Sequence, residues 1–129
     1  MQRRTTNPWQ WQDRFGFVQA EEVVDGRGTL YCSGQTSTDG TGMPRHAGDM
    51  RAQLGLALDN LETVLNAAGY AVADIVRLNF YTTDVDLFLE HFEVIASRLR
   101  GVPYTSTLLG VVRLAGPDLL VEIEATASR

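Results

Sequence analysis

Lysine is absent from this 129-residue chain, so all eleven basic residues are arginine. Without lysine there is no Schiff-base nucleophile, no pyridoxal-phosphate enzyme of the usual kind and no P-loop. Histidine is scarce, with only His46 and His91, which excludes a multi-histidine metal site. The single cysteine, Cys32, leaves neither an internal disulfide nor a Cys-x-x-Cys zinc pattern. No apolar run approaches the ~20 residues of a membrane span. The first fourteen residues are polar and carry no secretory signal pattern. A cytoplasmic setting is the default expectation.

What is present is ordinary for a globular protein: 44% hydrophobic and 21% charged residues, enough for one domain with its own core. We expect a single domain over 1–129, with 1–14 as an N-terminal arm. The net charge of −5 argues against nucleic acid as a partner, because phosphate neutralisation supplies most non-specific affinity.

Periodicity predicts two helices. One begins at an Asp49 N-cap, carries Met50, Leu54, Ala57, Leu58, Leu61, Val64, Leu65 and Ala68 on one stripe, and stops at Gly69. The other begins near Asp86, with Phe88, Phe92, Ile95 and Leu99 on one face, and ends at Gly101 and Pro103. Strands are expected over 17–24 and 29–34, as a hairpin around Asp25-Gly26-Arg27-Gly28, and over 75–83, 105–114 and 119–127. The order β-β-α-β-α-β-β implies an α+β fold with one mixed sheet and two helices on one face. Alternation puts Glu122 and Glu124 on the face opposite Val121, Ile123 and Ala125. That opposite face, with Leu108, Val112, Leu120 and Tyr81 beside charges, is too apolar for solvent and too polar for a core, so sheet-to-sheet association of subunits is expected.

Several motifs admit two readings. Gly34 to Gly42 is a glycine-rich loop after a strand, fit for an anion or simply a loop. Cys32 lies within a strand with no histidine near in sequence and reads as a buried structural thiol. Glu122 and Glu124 suit acid–base work or interface ion pairing. Trp9, Trp11, Phe15 and Phe17 pack a core or line a pocket. His46 reads as a surface residue and His91 as half-exposed.

Together these residues resemble the Rid family, the reactive intermediate deaminases, also called YjgF-type proteins. The resemblance rests on Tyr31-Cys32-Ser33-Gly34-Gln35, Ala57-Leu58-Asp59-Asn60-Leu61 in the first helix, Asp74-Ile75-Val76-Arg77, Tyr81-Thr82-Thr83-Asp84 and the terminal Val121-Glu122-Ile123-Glu124-Ala125. It spans residues 15–127 in order. It implies the bacillus-type chorismate-mutase-like fold and a homotrimer with small-molecule sites in the clefts between subunits. It further implies hydrolysis of reactive enamines and imines to keto acids and ammonia, with no metal and no organic cofactor.

Deaminating members carry an arginine in a Pro-x-Arg-[Ser/Thr] segment, where its fork grips the substrate carboxylate. Here that segment is Pro103-Tyr104-Thr105-Ser106-Thr107, and the arginine is missing whether Thr105 or Ser106 takes its place. The family tyrosine before the first strand is replaced by Phe17. The resemblance therefore points to an arginine-lacking subgroup. Glu122 is the expected base or water-positioning group. Gly34, Phe17, Thr105, Ser106 and Thr107 are the expected substrate contacts, and Arg77 or Arg113 could replace the lost cation. The alternative is a trimeric small-molecule-binding or accessory protein without turnover.

Overall fold

A computed structural model describes residues 1–129. Its strands are β1 (Gln2–Thr6), β2 (Ala20–Val24), β3 (Thr29–Tyr31), β4 (Gln35–Thr36), β5 (Ile75–Thr82), β6 (Thr105–Gly110) and β7 (Val121–Ser128). Its helices are α1 (Met50–Ala67), α2 (Val85–Glu90) and α3 (Glu93–Arg98). The main sheet runs β3-β7-β5-β6, with β4 also pairing β7. The pairing of β5 with β6 is parallel and the others are antiparallel, so the sheet is mixed, as the sequence predicts.

α1 starts where expected. The Asp49 side chain accepts the Ala52 N–H at 3.0 Å, and Gly69 follows the helix at φ +80°, a conformation open to glycine at little cost. Its stripe of Met50, Leu54, Ala57, Leu58, Leu61 and Leu65 is buried against Ile75, Leu78, Phe80, Val121, Ile123, Ala125 and Ala127 of the central strands. Cys32 is buried in the same core, and burial pushes its thiol pKa up, in keeping with a structural thiol.

Four expectations are corrected. The segment around Asp25 does not join a hairpin. β2 pairs with β1, from the supposed arm, while β3 pairs with β7. Arg3 explains part of this: its guanidinium binds Glu21 at 2.8 Å and the carbonyls of Ala73, Ile75 and Pro103 at 2.9–3.0 Å, tying the N-terminal strand to the starts of β5 and β6. The second helix starts near Asp86 as expected, at Val85 after an Asp84 N-cap that accepts the Leu87 N–H, but it is broken at His91 and Phe92 into α2 and α3. β6 ends at Gly110, so residues 111–114 are not strand, and β5 separates β6 from β7. Finally, strict alternation over 75–83 would put Ile75, Arg77, Asn79 and Tyr81 on one face, but a bulge between Ile75 and Arg77 resets it. Ile75 thereby joins Leu78 and Phe80 in the core instead of sharing a face with Arg77.

One buried polar residue fastens the loop before β7. Gln53 on α1 donates to the carbonyls of His46 (3.1 Å) and Asp118 (2.9 Å) and accepts the Leu120 N–H (2.8 Å). Its side chain is fully enclosed. Gln53→Leu would orphan two backbone groups, the Asp118 carbonyl and the Leu120 N–H, while the His46 carbonyl keeps the Asp49 N–H. Each orphan costs ~1–3 kcal/mol where water cannot reach. We expect about 2–4 kcal/mol of destabilisation overall. It should read as a lower urea midpoint with unchanged slope at fixed protein concentration. A change below about 0.5 kcal/mol, the size of an ordinary surface substitution, would show that the glutamine does not hold this loop.

Candidate functional site

The face of the sheet away from the helices carries the polar rows. Register places Glu122 beside Tyr81 on β5 and Thr36 on β4, and Glu124 beside Asn79. The two glutamates differ in what they touch. Glu124 accepts from Asn79 Nδ2 at 3.1 Å and from the Tyr81 hydroxyl at 2.9 Å. The Asn79 hydrogen bond, then that of Tyr81, holds the Glu124 carboxyl below its ordinary range, and the same contact raises the Tyr81 hydroxyl. Glu124 is thus committed to its neighbours. No donor of the chain hydrogen-bonds Glu122, which is half-buried.

Glu122 instead lies against Gly34. A Cβ at position 34 would stand 2.6 Å from Glu122 Cδ and 2.8 Å from its Cγ, closer than carbon atoms approach. This position needs glycine because the carboxylate occupies the space a side chain would fill. Asn60 of α1 sets the local backbone, donating through Nδ2 to the carbonyls of Thr36 and Thr38 at 2.9 Å each. Asn60 is a positioning residue that its amphipathic helix pattern does not mark, since it sits off the apolar stripe. The glycine-rich stretch after Gly34 is a folded loop. Asp39 accepts the Thr41 and Met43 N–H groups and the Thr41 hydroxyl, which lowers its pKa to about 2.

The β6 residues do not form one group. Thr105 pairs with Arg77 and Thr107 with Asn79, so both belong to the polar face, and Arg77 donates to Thr107 Oγ1 at 3.3 Å. Ser106 and Leu108 pair with the core residues Leu78 and Phe80 and face the helices, so Leu108 is not on the open face. Leu109, half exposed, stands there instead. Arg113 does not lie on a strand. It sits in the loop after β6 and donates to the Leu114 and Ala115 carbonyls.

On the helix side, Ser106 and Leu108 border a cavity of 320 Å³ whose other walls include Trp11, Phe17, Phe88 and Phe92. Trp11 meets Phe17 edge-on at 5.9 Å, Phe17 stacks on Phe15, and Phe15 meets Phe92. Trp9 does not line it. Within one chain the expected contacts therefore fall apart. Two strand spacings and four residues of rise separate Thr105 from Glu122 by roughly 16 Å, and Phe17 and Ser106 lie across the sheet from Glu122.

No three of the His, Cys, Asp and Glu side chains converge in a way that could hold a metal ion. No helix is long and apolar enough to cross a membrane. His46 is exposed and His91 half-buried, and neither hydrogen-bonds Glu122 or Glu124.

The family described as Endoribonuclease L-PSP matches residues 16–129. A Yersinia pestis protein of unknown function, YyfB of the conserved Rid family, superposes with a TM-score of 0.87 at 36% identity over the whole of both chains. The chain belongs to the Rid family. Among curated relatives, the mitochondrial protein mmf2 of Schizosaccharomyces pombe is 32% identical over 83% of this chain and 85% of its own. The structure of Escherichia coli TdcF with bound serine is similar at TM-score 0.70 and 30% identity, covering 84% of this chain and 88% of that one. In Pro103-Tyr104-Thr105, the polar-face position that opens β6 is a threonine whose hydroxyl donates to the Val76 carbonyl at 2.8 Å.

Proposed function

We propose that this Rid protein is a cofactor-free hydrolase of small reactive imines or enamines, of an arginine-lacking subgroup, working at a site completed between subunits of a homotrimer. The observation that carries the reading is the packing of the Glu122 carboxylate on Gly34 with no hydrogen bond from its own chain. A carboxylate that accepts no hydrogen bond from its own chain, beside the half-buried Gly34, is free to orient a water. Glu122 takes a proton from that water as its oxygen bonds to the imine carbon. That proton passes to the imine nitrogen to give the neutral carbinolamine. Glu122 then moves the carbinolamine hydroxyl proton to nitrogen as the C=O bond forms and the C–N bond breaks, so imine plus water gives carbonyl compound plus ammonia. Thr105 and Thr107 of a neighbouring copy, and the aromatic wall with Phe17 and Ser106, supply the contacts that a single chain leaves distant.

A neighbour also covers what one chain exposes: Leu109 (50% exposed), Val112 (100%) and Tyr31 (80%). Light scattering in dilute buffer should give three times 14.2 kDa. A stable monomer or dimer would remove the shared site. For activity, the test is acceleration of ammonia release from an imine generated in situ by a flavin amine oxidase. Saturable binding without acceleration would favour the accessory-protein reading.

A further inference from the structure

We propose that the cavity between β6 and α2–α3 binds an uncharged aromatic group, and that it selects substrates bearing one. This rests on the imine-hydrolase reading for its link to catalysis, but not for binding itself. An enclosed apolar cavity of roughly 150 Å³ is already large enough to take up benzene. This one measures 320 Å³, the lower end of small-molecule sites. Nine of its ten lining residues are hydrophobic and the tenth is Ser106. No ionised group faces it, so a carboxylate or ammonium entering it would be desolvated without a partner, which costs more than any contact there returns.

The walls are already in place. A continuous series of ring contacts at 5.4–6.4 Å runs from Trp11 through Phe17, Phe15, Phe92 and Phe88 to Phe80. Edge-on and tilted rings present both faces and edges, the arrangements a further aromatic ring prefers. Tyr104 closes the floor, and burial pushes its hydroxyl pKa up to about 12, so it stays neutral. Trp11 and Leu89 sit at the mouth, 57% and 46% exposed, while the floor residues Phe80 and Phe88 are enclosed. Ser106 supplies one hydroxyl for a single polar atom on the ligand. The site therefore suits a phenyl-sized body carrying one neutral polar substituent.

The test uses benzyl alcohol as probe, with benzoate of similar size and butanol without a ring as comparators, followed by NMR titration of the full-length protein. Benzyl alcohol should bind saturably, at least tenfold tighter than either comparator, with nuclear Overhauser contacts to the Trp11 ring. Leu89→Trp, a substitution at an exposed position, should block the mouth and abolish binding. Ser106→Ala should bring benzyl alcohol to the affinity of toluene. Glu122→Gln should bind benzyl alcohol as wild type does, so a failure of the catalytic reading leaves this result standing. Absence of saturable binding, benzoate binding as tightly as benzyl alcohol, or contacts mapping away from Trp11 would overturn the proposal. Occupation of the cavity by a side chain of a neighbouring copy would appear as the first of these.

Discussion

Glu122→Gln is expected to lower turnover on the order of 10²-fold or more while leaving trimer and stability intact. The amide keeps the shape of the carboxylate and removes its basicity. Because no donor of the chain relies on Glu122, the substitution strands no partner, unlike Glu124→Gln, which would disturb Asn79 and Tyr81. Gly34→Ala should reach a similar loss by another route. Its methyl group would occupy the space of the Glu122 Cγ and Cδ, forcing the side chain into another rotamer. The measurement is steady-state ammonia release for the three proteins, with mass and thermal midpoint as controls. Unchanged turnover in Glu122→Gln would remove this residue from the chemistry. A large loss of stability would make it structural.

The second large effect concerns substrate charge. The Rid resemblance implies an arginine at the start of β6 that pairs with the substrate carboxylate, and Thr105 or Ser106 takes that place in this chain. Leaving a buried charge unpaired costs ~3–5 kcal/mol. At about 1.4 kcal/mol per tenfold, an acid-bearing substrate should react roughly 10²- to 4 × 10³-fold slower than with an arginine-bearing relative. Of the two alignment positions, Thr105 is on the polar face and Ser106 faces the aromatic cavity, so Thr105→Arg is the substitution expected to recover part of that rate. Arg77 is the remaining local cation, and it sits beside Thr105 in register while engaging Thr107. The measurement generates 2-aminoacrylate in situ and follows its decay to pyruvate. A wild-type rate equal to that of an arginine-bearing relative would show that the missing arginine carries no penalty.

How far the sequence discloses this depends on the range of each interaction. α1 is legible throughout, because its cap, stripe and terminal glycine are all local signals. β7 is legible because period-two alternation from Val121 to Ala127 survives intact. The hairpin around Asp25 misleads. Turn chemistry predicts a reversal of the chain, but β2 pairs with β1 earlier in the chain, while β3 pairs with β7 about a hundred residues on, where the Ser128 hydroxyl also donates to the Gly28 carbonyl. The β5 bulge is likewise set by pairing with β7 and leaves no mark in composition. At the site, Gly34 and Glu122 are found through family motifs, and the close approach that makes both necessary appears only in three dimensions. Asn60, Arg3 and Gln53 act through hydrogen bonds to distant backbone, for which a single sequence has no periodic signature. The split of Thr105 and Ser106 to opposite faces was implicit in strand alternation once the start of β6 is known.

The claim that the site is shared between chains has a direct measurement: activity of mixed trimers formed from Glu122→Gln and Phe17→Ala chains, each nearly inactive alone, on benzylamine-derived imine. If the two residues act across an interface, random mixing leaves some sites with neither lesion, and activity should return to about a quarter of wild type. If both residues serve a site within one chain, every site carries a lesion, and the mixture would remain as inactive as its parents.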